Sequence, residues 1–491
     1  MDIKDCLNDI NKIESNLGGE IESRLKGFSG KEKYVATQIV NDTVDLVEDI
    51  NRDIYMFNLA LDHYNNHISF MPQYYFENII LRDDMIWERI LIVIAIAYEI
   101  EFEEIFIKKS IFPLYENIKK NQNISSQIKE ILLEINADYK LKQLKITRNG
   151  NEHYVSSHLA DGTEIEKFKG NLGDIIYIEN GDLYADMYMI NKLTNDMNYN
   201  IMLSLKSKIK DILKKQAMYI NLLKLCIVEM EKTFKKNDIL YFKQVHYFIP
   251  ESKSTFVNKN IMEDCAKLEN KYAELREKLR TIIDRKNESV FVILEEGEKI
   301  RDTLLIDSLF RAKEMIRSIN LFFLCISYHI HNEICASFSD EDFQKYCDNE
   351  LISSNYHYDH VILKFYSVYE KIAKFLLCKY DFDKEYLEDA KFKNMYIEKI
   401  LDIFDRKTFS AKILNKFKEC VTCNDFEKYE NVRNREYHRI RTRYFNNDSS
   451  FEFANICAMK NVMDSLYELF EMIIEEEKVI LDRMIKYRRV Y

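Results

Sequence analysis

Arg148-Asn149-Gly150-Asn151-Glu152-His153 and Arg433-Asn434-Arg435-Glu436-Tyr437-His438 share one outline: Arg-Asn, with His five positions after the Arg. Both Arg-Asn dipeptides of the chain are completed in this way. With about 20 Arg, about 40 Asn and 10 His in the sequence, chance supplies roughly 0.03 such six-residue matches. A bare Arg-x-x-x-x-His would arise by chance about 0.4 times, so the Asn and the doubling carry the weight.

The residue types fit one chemistry. RNA is cut without a metal when its 2′-OH attacks the adjacent phosphate. That step needs a group titrating near neutrality to take or give a proton, which is the property of His. It also needs fixed positive charge on the pentacovalent phosphorane, and Arg offers a rigid fork of donors to phosphate oxygens. Asn can orient the His, the Arg or the RNA. On a regular helix Asn434 and His438 share a face, whereas Arg433 and His438 lie about 140° apart. One motif alone therefore converges poorly on one phosphate, and two motifs facing each other would build a composite site. Gly150 disfavours a regular helix through the first motif.

Cations surround both motifs. Lys140, Lys142 and Lys145 precede the first. Arg435, Arg439, Arg441 and Arg443 run through and beyond the second, followed by Tyr444 and Phe445, whose rings can stack on bases. A solvated cationic helix face is an equal reading of the same run. Upstream of each motif a Tyr-Glu dipeptide sits in an apolar helical stretch, Tyr98-Glu99 and Tyr369-Glu370, a weak internal echo.

Working outward, the chain reads as helical. Its 491 residues suit two or three domains, and 47% apolar against 31% charged residues allows large cores. Only three prolines and ten glycines interrupt it, so long helices are favoured. Pro72 and Pro113 mark helix boundaries. Trp87–Lys109 reads as one strong helical run, apolar enough over Ile90–Ile100 to be buried on most sides. Leu268, Tyr272, Leu275, Leu279 and Ile282 are spaced as the seam of a helix pair. Ser339-Asp340-Glu341-Asp342 reads as a helix start. Five of the ten glycines fall in 150–181, and Ile175–Ile178 with Leu183–Met187 reads as a small β-hairpin, an insertion near 170–190.

Other candidates are weaker. The net charge of −11 argues against a protein that coats nucleic acid without selection, while leaving room for a local basic cleft. His63 and His67 have helical metal spacing but lack a third ligand, and no metal or cofactor is expected. His329 and His331 flank an apolar stretch and read as core. Cys420-x-x-Cys423 lacks a partner pair, and the ten cysteines are unpatterned, as in a reducing cytoplasm. The apolar run Ile90–Tyr98 is about nine residues, short of the roughly 20 that span a bilayer. No basic, apolar leader opens the sequence.

The paired motifs resemble the HEPN superfamily, whose nucleases carry Arg-polar-x-x-x-His with Asn common at the second place. The resemblance covers the motifs and, more loosely, 85–160 and 355–445. It implies compact all-α domains that dimerise so that two motifs line one RNA-cutting cleft, as in toxin and abortive-infection ribonucleases of antiviral defence. By resemblance Arg148, Asn149, His153, Arg433, Asn434 and His438 form the catalytic set. The tyrosine that some toxin members carry two residues after the His is replaced here by Val155 and Ile440. The expectation is an all-α chain of three parts: an N-terminal HEPN-like domain over 1–190, a coiled-coil-like helical middle segment over 191–338, and a C-terminal HEPN-like domain over 339–491. Its partners would be RNA and an activating or inhibiting factor. Its two motifs would pair within a monomer or across a homodimer. The alternative is a HEPN-like scaffold that binds RNA or protein without cutting.

Overall fold

The computed structural model describes residues 31–62, 72–100, 112–137, 176–179, 182–185, 187–234, 259–289, 296–330, 354–380, 396–406, 412–438 and 450–488. Among these the secondary structure is helical apart from one antiparallel strand pair, Ile176–Glu179 (β1) with Asp182–Ala185 (β2), in which Glu179 faces Asp182. The chain divides into two compact units. Described elements up to residue 234 belong to the first, and those from residue 259 onward to the second.

The first unit is built from α1 (Lys31–Asp62), α2 (Pro72–Ala97), α3 (Phe112–Lys120), α4 (Ser126–Ala137) and α5 (Met187–Phe234). Pro72 opens α2, where its missing N–H costs nothing. Helix α2 is buried on most sides because α1, α3 and α5 all pack on it, and every residue from Ile90 to Ala97 is buried. Trp87 ties three helices together, with its ring 5.9 Å from Tyr115 of α3 and 6.4 Å from Tyr219 of α5. Helices α1 and α2 run antiparallel and are pinned by buried ion pairs. Arg89 Nε donates to Asp42 at 2.8 Å, and Arg82 reaches Asp53 and, at 3.8 Å, Asp49. Lys215 of α5 pairs with Asp83 at 2.6 Å.

The expected helix Trp87–Lys109 ends sooner. Tyr98 and Glu99 form a turn, with Glu99 in the left-handed region at φ 54°. Ile100 N–H returns to Ala95 O at 2.8 Å and Glu99 N–H to Ile96 O at 3.3 Å, the paired bonds that close a helix C-terminus. Residues 101–109 lie outside the described residues.

The second unit contains α6 (Lys259–Ser289), α7 (Glu296–Ile330), α8 (Ser354–Tyr380), α9 (Ile397–Arg406), α10 (Lys412–Val421), α11 (Asn424–His438) and α12 (Ser450–Arg488). Helix α8 is its axis: every side chain from Tyr356 to Lys379 is buried, against α7, α9, α10, α11 and α12. The spaced residues Leu268 to Ile282 are buried as a seam, and Tyr272 packs edge-on to Tyr467 and Phe470 of α12 while its hydroxyl donates to Met463 O at 2.8 Å. The helices of the expected middle segment 191–338 thus fall on both sides of the division. Helix α5 packs on α2 and α1, whereas α6 and α7 pack with α8 and α12.

The two units repeat each other in outline. Aligning Asp42 with Asp307 sets α1 on α7 and matches Thr43 with Ser308, Asp49 with Glu314, Arg52 with Arg317, Ile54 with Ile319 and Phe57 with Phe322. Aligning Arg89 with Lys371 sets α2 on α8 and matches Arg82 with Lys364, Glu88 with Glu370 and Tyr98 with Tyr380. The buried pair recurs in place, since Lys371 meets Asp307 at 2.8 Å. The buried hydroxyls recur too: Thr43 Oγ1 donates to Ile39 O and Ser308 Oγ to Leu305 O. Helices α3 and α9 begin the same number of residues ahead of Arg148 and Arg433. This register corrects the Tyr-Glu echo. Tyr98-Glu99 closes α2, whereas Tyr369-Glu370 lies inside α8, so the two dipeptides are not equivalent.

Candidate active site around the second motif

Helix α11 carries the second motif to its last residue, His438. Its start is well specified. Phe426 N–H donates to Cys423 Sγ at 3.4 Å, and the Cys423 thiol donates to Cys420 O at 3.1 Å. Asp425 and Glu427 place negative charge on the first turn, where the helix dipole favours it. The helix is polar overall but buries Phe426, Tyr429, Val432 and Arg433, a stripe at spacings of three, three and one.

That stripe faces α8. Phe426 lies against three α8 rings, 5.2 Å from Phe365, 6.3 Å from Tyr366 and 5.1 Å from Tyr369. Tyr429 packs 5.7 Å from Phe365, and its hydroxyl donates to Asn455 O of α12 at 2.8 Å. The Asn455 amide in turn donates to the Tyr358 hydroxyl at 3.2 Å. The motif helix is thereby fixed to α8 and α12 ahead of Arg433, Asn434 and His438.

Arg433 ends the buried stripe. It is 9% exposed, and its guanidinium carbon stands 5.7 Å from the centre of the Tyr366 ring. Burial pushes the Tyr366 phenol well above its ordinary range. The charges of Glu398, Glu370 and Glu430 push the same way, and Arg433 opposes them. Carboxylates of α9, α8 and α11 and the motif arginine thus all act on the Tyr366 phenol. Glu370 is buried and accepts from Lys374 at 2.9 Å, while burial lowers the Lys374 ammonium.

Asn434, Arg435 and His438 are placed on α11 by backbone, and their side chains lie outside the described residues. A regular helix through His438 keeps Asn434 and His438 on one face and sets His438 about 140° around from Arg433. Arg148, Asn149 and His153, with Lys140, Lys142 and Lys145, lie outside the described residues, as do Arg439, Arg441, Arg443 and Tyr444. His63, His67 and Ser339–Asp342 also fall outside them, as do the side chains of His329 and His331. Cys420 and Cys423 are free thiols, Cys420 buried, with burial pushing it up to about 11, and Cys423 exposed. Among the described residues no group of three or more His, Cys, Asp or Glu is placed to hold a metal ion. No described helix is long and apolar enough to cross a membrane. Sequence reasoning missed Tyr366, because a Tyr among the many apolar side chains of α8 reads as core.

A helical unit with an Arg-Asn-x-x-x-His helix packed on a buried central helix, and a second unit repeating its outline, defines the class of paired HEPN-domain proteins. The family model described as Cthe2314-like HEPN matches residues 35–231 and 304–484, most of the chain, and the chain belongs to that family. Among the described residues the two matched stretches fall one in each unit. No curated protein and no solved structure matches the chain.

Proposed function

We propose that this chain is a metal-independent endoribonuclease. The observation that carries the reading is that two HEPN units each hold an Arg-Asn-x-x-x-His, while the Arg of the second is anchored on the central helix of its unit. His153 and His438 are the acid and base. One takes the proton of the RNA 2′-OH as its oxygen attacks the adjacent phosphorus, and the other protonates the departing 5′ oxygen. Arg148 and Arg433 bear the charge of the phosphorane. Asn149 and Asn434 orient these groups. The products are a 2′,3′-cyclic phosphate and a 5′-OH end. The 140° between Arg and His within one motif favours joint use of both motifs on one phosphate, within a chain or across a dimer. Lys140, Lys142, Lys145 and the Arg435–Tyr444 run are the RNA contacts of this reading.

The role is that of a gated defence or toxin nuclease acting in the cytoplasm, since a cell that carries an RNA-cutting site must restrain it. The restraint is an activating or inhibiting partner.

The test is incubation of the purified protein with total RNA in EDTA, alone and with lysate of phage-infected cells as a source of activator. Cleavage with cyclic-phosphate ends is expected, and either His153→Ala or His438→Ala abolishes it if the two motifs share a phosphate. Cleavage that survives the double variant, or none under either condition, overturns the proposal in favour of a binding scaffold.

A further inference from the structure

We infer that Tyr366 is a positioning residue for Arg433, holding the guanidinium of the second motif by its ring face. This rests on the ribonuclease reading above and deepens it.

Three observations carry it. The first is contact: the guanidinium carbon lies 5.7 Å from the ring centre, within the range of a cation held over an aromatic face. The second is confinement. Tyr366 is 8% exposed and Arg433 9% exposed, on two helices already locked together by Phe426 and Tyr429. Low local dielectric strengthens the attraction of ring and cation there. The third comes from the repeat. The α2 residue equivalent to Tyr366 is Asp84, which is half-buried. The same helix in the same architecture therefore does without a ring at this place, and the aromatic is not a demand of the fold.

The chemistry explains why a ring suits the task. A ring face attracts the cation without accepting its in-plane N–H bonds. Glu370, Glu398 and Glu430 add negative charge around the Tyr366 phenol, and Arg433 opposes it. The buried phenol stays protonated throughout the physiological range and takes no part in proton transfer.

The experiment compares wild type, Tyr366→Phe and Tyr366→Leu on one RNA in EDTA, with urea midpoints measured in parallel. Tyr366→Phe keeps the ring and retains kcat within about threefold. Tyr366→Leu loses roughly tenfold to a hundredfold in kcat, the scale of a misplaced catalytic group. In an Arg433→Lys background Tyr366→Leu costs no further activity, because the planar fork it serves is already gone. Should Tyr366→Leu fail to fold, Tyr366→Met takes its place with the same expectation. Equal activity of the Leu and Phe variants overturns the inference while leaving the ribonuclease reading intact. So does an equal, additive loss in the Arg433→Lys background. Absence of cleavage by wild type under every condition removes the ribonuclease reading and this role with it.

Discussion

Asp42 and Arg89 meet at 2.8 Å with neither side chain exposed, and Asp307 and Lys371 repeat the contact in the second unit. Burying two charges costs desolvation that their attraction only roughly offsets, so such a pair adds little net stability. Its removal by halves is another matter, because it leaves a charge in the core. Asp42→Ala should destabilise the first unit by about 3–5 kcal/mol, read as a lowered urea midpoint. Glu314, the counterpart of Asp49, makes a pH-dependent case. Burial raises its carboxyl above the ordinary range, against the pull of Arg317, Lys313 and Lys364, with Glu269 adding to the rise. The folded state therefore binds this proton more tightly than the unfolded chain. The stability contributed by that proton is present below the ordinary carboxylate pKa and is lost as pH rises through the folded value. Glu314→Gln removes the titration, so the variant should gain on wild type in urea unfolding between pH 4.5 and pH 7. A constant difference across that range would show that Glu314 does not titrate in this way.

At the scale of elements, α8 and α11 decide the candidate site. Helix α11 has few apolar residues, and Phe426 and Tyr429 pack against the rings of α8. Phe426→Ala removes a ring that touches three others and should cost about 3–5 kcal/mol, visible in thermal unfolding. Under the ribonuclease reading, RNA cleavage should fall with it, because the motif rides on this helix. The stripe was hard to read from the sequence, since α11 is rich in charged residues and its buried face holds only one aliphatic side chain, Val432. Helix α8 was easier to find. The internal register between α2 and α8 was legible only after the ion pairs and helix ends were known. Asp42, Arg89, Asp307 and Lys371 lie too far apart in sequence to reveal that they occupy the same place. The Tyr-Glu dipeptides pointed to a false register because both residues are common in this chain.

At the scale of the whole molecule, each unit encloses its own core, with α2 central in one and α8 in the other. Residues 259–491, expressed alone, should therefore fold with a cooperative urea transition and near-native helix content by circular dichroism. A fragment that remains unfolded would show that its core needs the first unit. Helix α6 belongs to this fragment, packing on α7 and α12. A fragment starting at 339, the boundary expected from the sequence, would lack α6 and α7 and leave one flank of α8 uncovered. That fragment should aggregate or stay molten.

The sequence by itself determined that the chain is helical, that it carries the same six-residue outline twice, and which residue types could cut RNA. Few breakers, long apolar runs and a doubled Arg-Asn-x-x-x-His are local properties, legible without knowing what packs on what. The tertiary structure decided the rest. It assigned α5 to one unit and α6 with α7 to the other, because burial depends on partners distant in sequence. It ended α2 at Ala97, where a left-handed Glu99 and two returning hydrogen bonds close the helix. It also set Arg433 over Tyr366, a contact between residues 67 positions apart that no spacing rule within one helix can foresee.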